Sequence, residues 1–150
     1  MEPKNMIIDS IRIKKPQSAV WRVVSQPGWW LNDGKWNEKS ILSEGPVTVV
    51  HAEDLGDFNI EVELIEKPDY AKFSWYSAQI ENEHQGFKTS VEFSLQPISA
   101  EETELTVVET GFTENTSPPE VQAENYHLNV EGWRFDLELI KKLLEAGELT

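Results

Sequence analysis

The chain has 150 residues, which fits one domain of ordinary size and leaves no room for a second. Hydrophobic residues make up 39% and charged residues 27% of the sequence, which excludes disordered, collagen-like and membrane-spanning classes. The net charge of −14 disfavours binding to nucleic acid or to anionic membranes, because a polyanion is repelled by both. We expect a single globular domain over residues 1–150.

The sequence also bounds the chemistry and the cellular compartment. It contains no cysteine, which excludes disulfides, thiolate catalysis and cysteine-ligated metal centres. It has no apolar run of about 18 residues, and Met1-Glu2-Pro3-Lys4 lacks the apolar core of a signal peptide. These features predict a cytoplasmic protein.

The first part of the chain predicts a strand followed by two short helices. A run of β-branched isoleucines with interleaved polar residues over 7–13 is typical of a strand. Pro16 suits the first position of a helix, which Pro27-Gly28 would end. Residues 29–31 predict one more helical turn.

From residue 38 the pattern changes to short alternating segments separated by turns. The predicted strands are 38–43, 47–52, 58–66, 70–79, 86–96 and 103–111. Apolar and polar residues alternate cleanly in 58–64 and 87–95, so one face of the sheet should be buried and the other solvated. This pattern predicts an antiparallel meander.

A long helix is predicted over residues 118–146. Ser117 and Glu120 have the spacing of a capping box, and Pro119 suits the first turn. A stripe of apolar residues runs from Tyr126 to Leu144 at helical spacing, so this helix should lie across the buried face of the sheet.

Five short motifs carry a resemblance to a known family. In chain order they are Lys15-Pro16 with Ala19-Val20-Trp21, Gln26-Pro27 with Trp29-Trp30, Lys67-Pro68 with Phe73-Ser74-Trp75, Thr103-Glu104-Leu105-Thr106 with Thr110-Gly111-Phe112, and Glu131-Gly132-Trp133. Together they resemble bacterial proteins similar to the activator of the ninety-kilodalton heat-shock protein ATPase, which are associated with the stress response. That family belongs to the helix-grip superfamily, SRPBCC, which includes the START lipid-transfer domains.

The resemblance implies an α+β helix-grip fold, in which a curved antiparallel sheet of about seven strands wraps around the C-terminal helix. It also implies that the first and last strands pair. A single helix cannot fill the concave side of so large a sheet. Either large side chains fill the remaining space, or a cavity is left.

The first functional hypothesis is non-enzymatic binding of a small, largely apolar or aromatic molecule in that cavity, with no cofactor. Binding pockets combine apolar walls with a few polar groups. The predicted wall residues are Trp30, Trp36, Phe58, Ile60, Phe73, Trp75, Phe93, Trp133 and Leu137. The polar groups would be Glu109, Tyr126 and His127, of which strand parity points Glu109 inward.

Two other classes of function stay open. A chaperone-associated or regulatory module, monomeric or weakly dimeric, would contact a protein partner through an exposed Trp29 or Trp36 and its acidic surface. A cyclase- or hydrolase-like enzyme would use Glu109 with Asp9, which the same parity turns toward the cavity, or His127.

Metal sites and catalytic motifs receive little support. Glu124 and His127 form one E-x-x-H motif, whereas di-metal bundles use two with further carboxylates. His51 and His84 are predicted to be exposed. We therefore expect neither a metal site nor a catalytic residue of a known motif.

Overall fold

The computed structural model describes residues 4–77, 80 and 86–149. In chain order its strands are β1 (Met6–Ile13), β2 (Lys39–Ser43), β3 (Val47–Ala52), β4 (Gly56–Glu66), β5 (Tyr70–Tyr76), β6 (Lys88–Ser99) and β7 (Glu102–Thr110). Helix α1 (Gln17–Val24) follows β1, and helix α2 (Pro119–Glu145) follows β7. Neither helix has the length and apolarity that crossing a bilayer requires.

The described strands form one antiparallel sheet in the order β1-β7-β6-β5-β4-β3-β2. Strands β2 to β7 follow one another as a meander, and β1 returns to the outer edge of β7. Ile7 lies opposite Glu109 in that pairing, and Ile13 lies opposite Thr103. The α+β helix-grip architecture and the pairing of the first and last strands are thereby confirmed.

The prediction of two short helices after the first strand is wrong, because residues 14–38, all of which are described, contain one helix. Gly28 has a φ of +79°, which interrupts a right-handed helix. The Trp29 and Leu31 amides donate to the carbonyls of Gln26 and Gly28, so this segment forms turns.

The predicted capping box at the start of α2 is also not formed. Pro118 occupies the N-cap position with no side-chain cap, and Ser117 lies one residue too early. The end of the predicted strand 70–79 and most of its predicted connection to the strand 86–96 fall on residues 78–79 and 81–85. Those residues, including His84, lie outside the described part of the chain.

An aromatic cluster joins α2 to the sheet. Trp29 and Trp30, from the connection after α1, insert between Phe73 and Phe93 of the sheet and Trp133 of α2. The Trp29 ring lies 5.3 Å from Phe93, and the Trp30 ring lies 5.5 Å from Phe73. All five side chains are buried. Tryptophan side chains therefore fill much of the space that the sheet and one helix leave between them.

Candidate functional site

A pocket of about 190 Å³ lies where α2, β5 and the connection after α1 meet. Its lining residues are Trp30, Asn32, Trp75, Asn129, Gly132, Trp133 and Asp136. The four from α2 each lie three or four residues from at least two of the others, which places them on one side of the helix. Gly132 is exposed at the pocket and Trp30 is buried, so the space runs from the surface toward the aromatic cluster.

Three tryptophans form the aromatic part of the pocket lining. The Trp30 ring meets Trp75 at 79° and Trp133 at 46°, with centroid distances of 5.6 and 6.2 Å. Rings at these angles do not stack flat on one another, so they present surfaces in several directions. The arrangement suits a compact ligand held from more than one side.

Glu109 lies behind two of these tryptophans and is fully buried, as strand parity predicts. Its carboxylate accepts hydrogen bonds from Trp133 Nε1 at 2.7 Å and from Trp75 Nε1 at 3.3 Å. Asn129 Nδ2 donates to it at 3.0 Å, and the Thr89 hydroxyl donates as well. Four donors to one carboxylate fix two indole rings in place.

Asp136 is the acidic group of the pocket lining and is 7% exposed. Asn32 Nδ2 donates to its carboxylate at 3.1 Å, and the Lys39 ammonium donates to the oxygen of the same Asn32 amide. Burial raises the pKa of Asp136 to about 8, against the opposing effects of the Asn32 hydrogen bond and the Lys39 charge. Burial also lowers the pKa of Lys39 to about 8.

The raised pKa of Asp136 predicts that folding stability falls as the pH rises from about 4 to about 8. The folded state disfavours the ionised carboxyl. The stability that Asp136 contributes in its protonated form is therefore fully present below its unfolded pKa, and it is lost as the pH rises to its folded pKa. The free energy of unfolding of the wild type, relative to Asp136→Asn, should drop by more than about 1 kcal/mol across this window. Urea unfolding at both ends measures it.

Lys39 affects that experiment little when the upper measurement is made at about pH 7, because its folded and unfolded pKa values of about 8 and 10.5 place most of its titration above that pH. A pH-independent difference between the wild type and Asp136→Asn would show that Asp136 ionises normally in the folded protein.

Two indole groups in this region have no hydrogen-bond partner among the described residues. The Nε1 atoms of Trp29 and Trp30 are both buried. A buried donor without an acceptor carries a desolvation cost, which an acceptor reaching it would remove. Trp30 is the one of the two that also lines the pocket.

The structure divides the predicted wall residues into three groups. Trp30, Trp75 and Trp133 line the pocket. The others that are buried belong to the core and do not line it: Phe58, Ile60, Phe73, Phe93 and Leu137. Trp36 is half-buried, and its ring lies 3.5 Å from Lys39 Nζ.

The predicted polar groups lie elsewhere. The Tyr126 hydroxyl donates to the Met6 carbonyl at 3.0 Å, and its ring meets Phe112 edge-on. His127 is exposed. Neither lines the pocket, and Glu109 contacts it through the two indoles and Asn129.

Two further expectations need correction. Trp29 is 2% exposed, because it packs inside the aromatic cluster, so it cannot be a surface contact. Asp9 points toward α2 as expected, but Arg134 lies 3.3 Å from its carboxylate and Glu109 is occupied by its own four donors. The two carboxylates are thus held by different partners.

Sequence reasoning missed four residues of the pocket lining. They are Asn32, Asn129, Gly132 and Asp136. A signal for the last three was present, since each lies three or four residues from Trp133 or from another of the three along α2. Asp136 stands within the apolar stripe that contains Trp133 and Leu137, where a carboxylate is uncommon because Asp is rarely buried without a partner.

Residues 4–77, 80 and 86–149 contain no group of three or more His, Asp or Glu side chains that could together bind a metal ion. Glu124 and His127 thus remain without further metal-binding groups from the described residues.

Comparisons with known proteins give matches among solved structures. No protein-family model and no curated protein matches the chain. Protein MLL2253 from Mesorhizobium loti is 22% identical over 96% of this chain and 99% of its own, with a TM-score of 0.68. A START superfamily protein from Mycobacterium smegmatis is 13% identical over 94% and 99%, with a TM-score of 0.63.

The Aha1 dimer from Colwellia psychrerythraea is also similar, at 15% identity over 97% of this chain and 99% of that chain, with a TM-score of 0.65. At identities this low, the similarity shows the fold alone, and a function has to be argued from the residues of the site. The chain therefore has the START-like helix-grip fold.

Proposed function

We propose that the chain binds a small, largely apolar or aromatic molecule in the tryptophan pocket. A dry cavity of about 150 Å³ can hold a benzene ring. The volume of about 190 Å³ therefore fits one ring with a small substituent, or a compact group of similar size. Asn32, Asn129 and Asp136 supply the few polar contacts that orient a ligand in an otherwise aromatic site.

Gly132 is the observation that carries this proposal. Glycine inside a helix lowers helix stability by about 1 kcal/mol relative to alanine, so a glycine within α2 is unfavourable unless its small size serves a purpose. A Cβ built at Gly132 meets no described heavy atom within 4 Å apart from its own helix backbone and chain neighbours. Close packing thus does not require the glycine, and the open space beside its Cα belongs to the pocket that Gly132 lines.

Substitution at Gly132 tests the proposal. Gly132→Ala should raise the free energy of unfolding by about 0.5–1 kcal/mol through helix propensity. Gly132→Leu should place a large side chain at the pocket and weaken ligand binding at least tenfold without lowering the melting temperature. Benzyl alcohol is a suitable probe, with an expected Kd of about 100 µM, roughly −5.5 kcal/mol. Tryptophan fluorescence and ligand-observed NMR report its binding.

Glu131→Leu is the matched control, because it adds the same side chain at the neighbouring exposed position, outside the pocket lining. It should leave benzyl alcohol binding unchanged. Absence of binding by a panel of single-ring compounds near their solubility limits would contradict the proposal and leave a filled core.

A protein-interaction role is the second candidate, and it is favoured by the exposed surface of α2. Val121, Leu128 and Phe135 are exposed at seven-residue intervals, so they follow one side of the helix, and Leu128 is 58% exposed. This surface replaces Trp29 as the contact for a chaperone or other partner. The ligand experiment separates the two candidates, since a surface role needs no uptake of small molecules.

A further inference from the structure

The chemistry of the pocket lining narrows the class of ligand, on the basis of the proposed function. We infer that the pocket binds an organic ammonium ion, with a head group about the size of trimethylammonium. The surface of such a head group consists of methyl groups, so it packs well against the aromatic walls. It also carries a positive charge, which the faces of the indole rings attract.

The three tryptophans are the first reason. The face of an aromatic ring carries negative potential, and tryptophan attracts cations best. Several rings around one space, set at 79° and 46° to one another, form the kind of aromatic cage that holds quaternary ammonium groups. For a charged ligand, the indole faces add a cation–π attraction that aliphatic side chains would not supply.

The carboxylates are the second reason. Glu109 accepts hydrogen bonds from the N–H groups of Trp75 and Trp133, which adds electron density to two of the three rings of the cage. Asp136 lines the pocket directly, and no basic residue is among the lining residues. Glu109 favours positive charge beside the rings, and Asp136 does so in its ionised form, which predominates above its pKa of about 8.

Lys39 is the cation that acts on Asp136, and its position explains why it does not occupy the pocket. Its ammonium is bonded to Asn32 and lies 3.5 Å from the centre of the Trp36 ring. It is not part of the pocket lining. Asn32 bridges the two charges, so a cationic ligand would approach Asp136 from the other side of that amide.

A pair of isosteric probes tests the inference. Choline and 3,3-dimethylbutan-1-ol have the same shape, but the first has a trimethylammonium group where the second has a neutral tert-butyl group. At pH 9, where Asp136 is ionised, we expect choline to bind about tenfold more tightly, the ratio that a desolvated cation–π cage supplies. Isothermal titration calorimetry and tryptophan fluorescence measure both affinities on the full chain.

Variants then assign the preference to the named groups. Asp136→Asn and Trp75→Leu should each reduce the preference for choline to about twofold or less, while the neutral alcohol binds nearly as before. Glu138→Gln is the charge-matched control, since its side chain is 67% exposed on the same helix. It should keep the tenfold preference, and circular dichroism verifies that each variant is folded.

Each outcome decides the inference. A tenfold preference that Asp136→Asn or Trp75→Leu removes supports it. Equal binding of the two probes, or tighter binding of the alcohol, overturns it and leaves the proposed small-molecule pocket intact. A preference that Glu138→Gln removes assigns the effect to general surface charge and also overturns it. Failure of choline, the alcohol and benzyl alcohol alike rejects the proposed function together with the inference.

Discussion

Trp133→Ala is expected to lower the free energy of unfolding by about 3–5 kcal/mol, the usual cost of emptying a large aromatic core site. The Trp133 ring contacts Trp29, Trp30 and Phe93, so its removal opens a cavity at the centre of the cluster. It also removes the shortest of the indole hydrogen bonds to Glu109. Urea unfolding followed by far-UV circular dichroism measures the loss.

Phe135→Ala is the matched control for that experiment. Phe135 lies two residues along α2 and is exposed, so truncation should cost less than about 1 kcal/mol. If Trp133→Ala cost no more than Phe135→Ala, α2 would not dock through the buried stripe, and the packing described above would be wrong.

Glu109→Ala is expected to cost more than about 3 kcal/mol, although glutamate is an unusual residue in a core. The substitution removes the acceptor of four donors, from Thr89, Asn129, Trp75 and Trp133. Each buried donor left without a partner costs about 1–3 kcal/mol. Thermal and urea unfolding give the loss directly.

Two variants show whether the stability lost in Glu109→Ala comes from the missing hydrogen bonds or from the missing charge. Glu109→Gln keeps the shape but replaces one acceptor oxygen with an amide donor that faces donors, so it should cost less than Glu109→Ala and more than about 1 kcal/mol. Glu104→Gln, on the outer face of the same strand beside Arg12, should cost less than about 0.5 kcal/mol. Equal costs for Glu109→Gln and Glu104→Gln would contradict the four-donor arrangement.

Periodicity predicted the fold well, because an element with one buried face has apolar residues at regular intervals, every second residue in a strand and every third or fourth in a helix. The alternation of Phe58, Ile60 and Val62 marks the inner face of β4, where Phe58 and Ile60 are buried. The predicted helix 118–146 differs from α2 by one residue at each end. The inward direction of Glu109 also followed from counting along a strand.

The site was predicted only in part, because a pocket depends on which side chains leave space unfilled. Parity turns Phe73 and Phe93 inward as surely as Trp75. All three rings contact Trp30, yet of the three Trp75 alone borders the pocket. The partnership of Asn32 with Asp136 joins positions 104 residues apart, which no local pattern reveals. Tyr126 contacts Met6 for the same reason, through a tertiary approach of β1 to α2.

The position of β1 at the edge of β7 also sets an order of events during synthesis. Strands β2 to β6 can pair with a neighbour as soon as the next segment emerges, but Ile7 must wait for Glu109, about 100 positions later. Through that interval the β1 segment is an unpaired strand with apolar side chains, the kind of segment that associates with other chains. Its alternate residues include Ser10 and Arg12, and polar groups at such positions act as gatekeepers against association of the nascent chain.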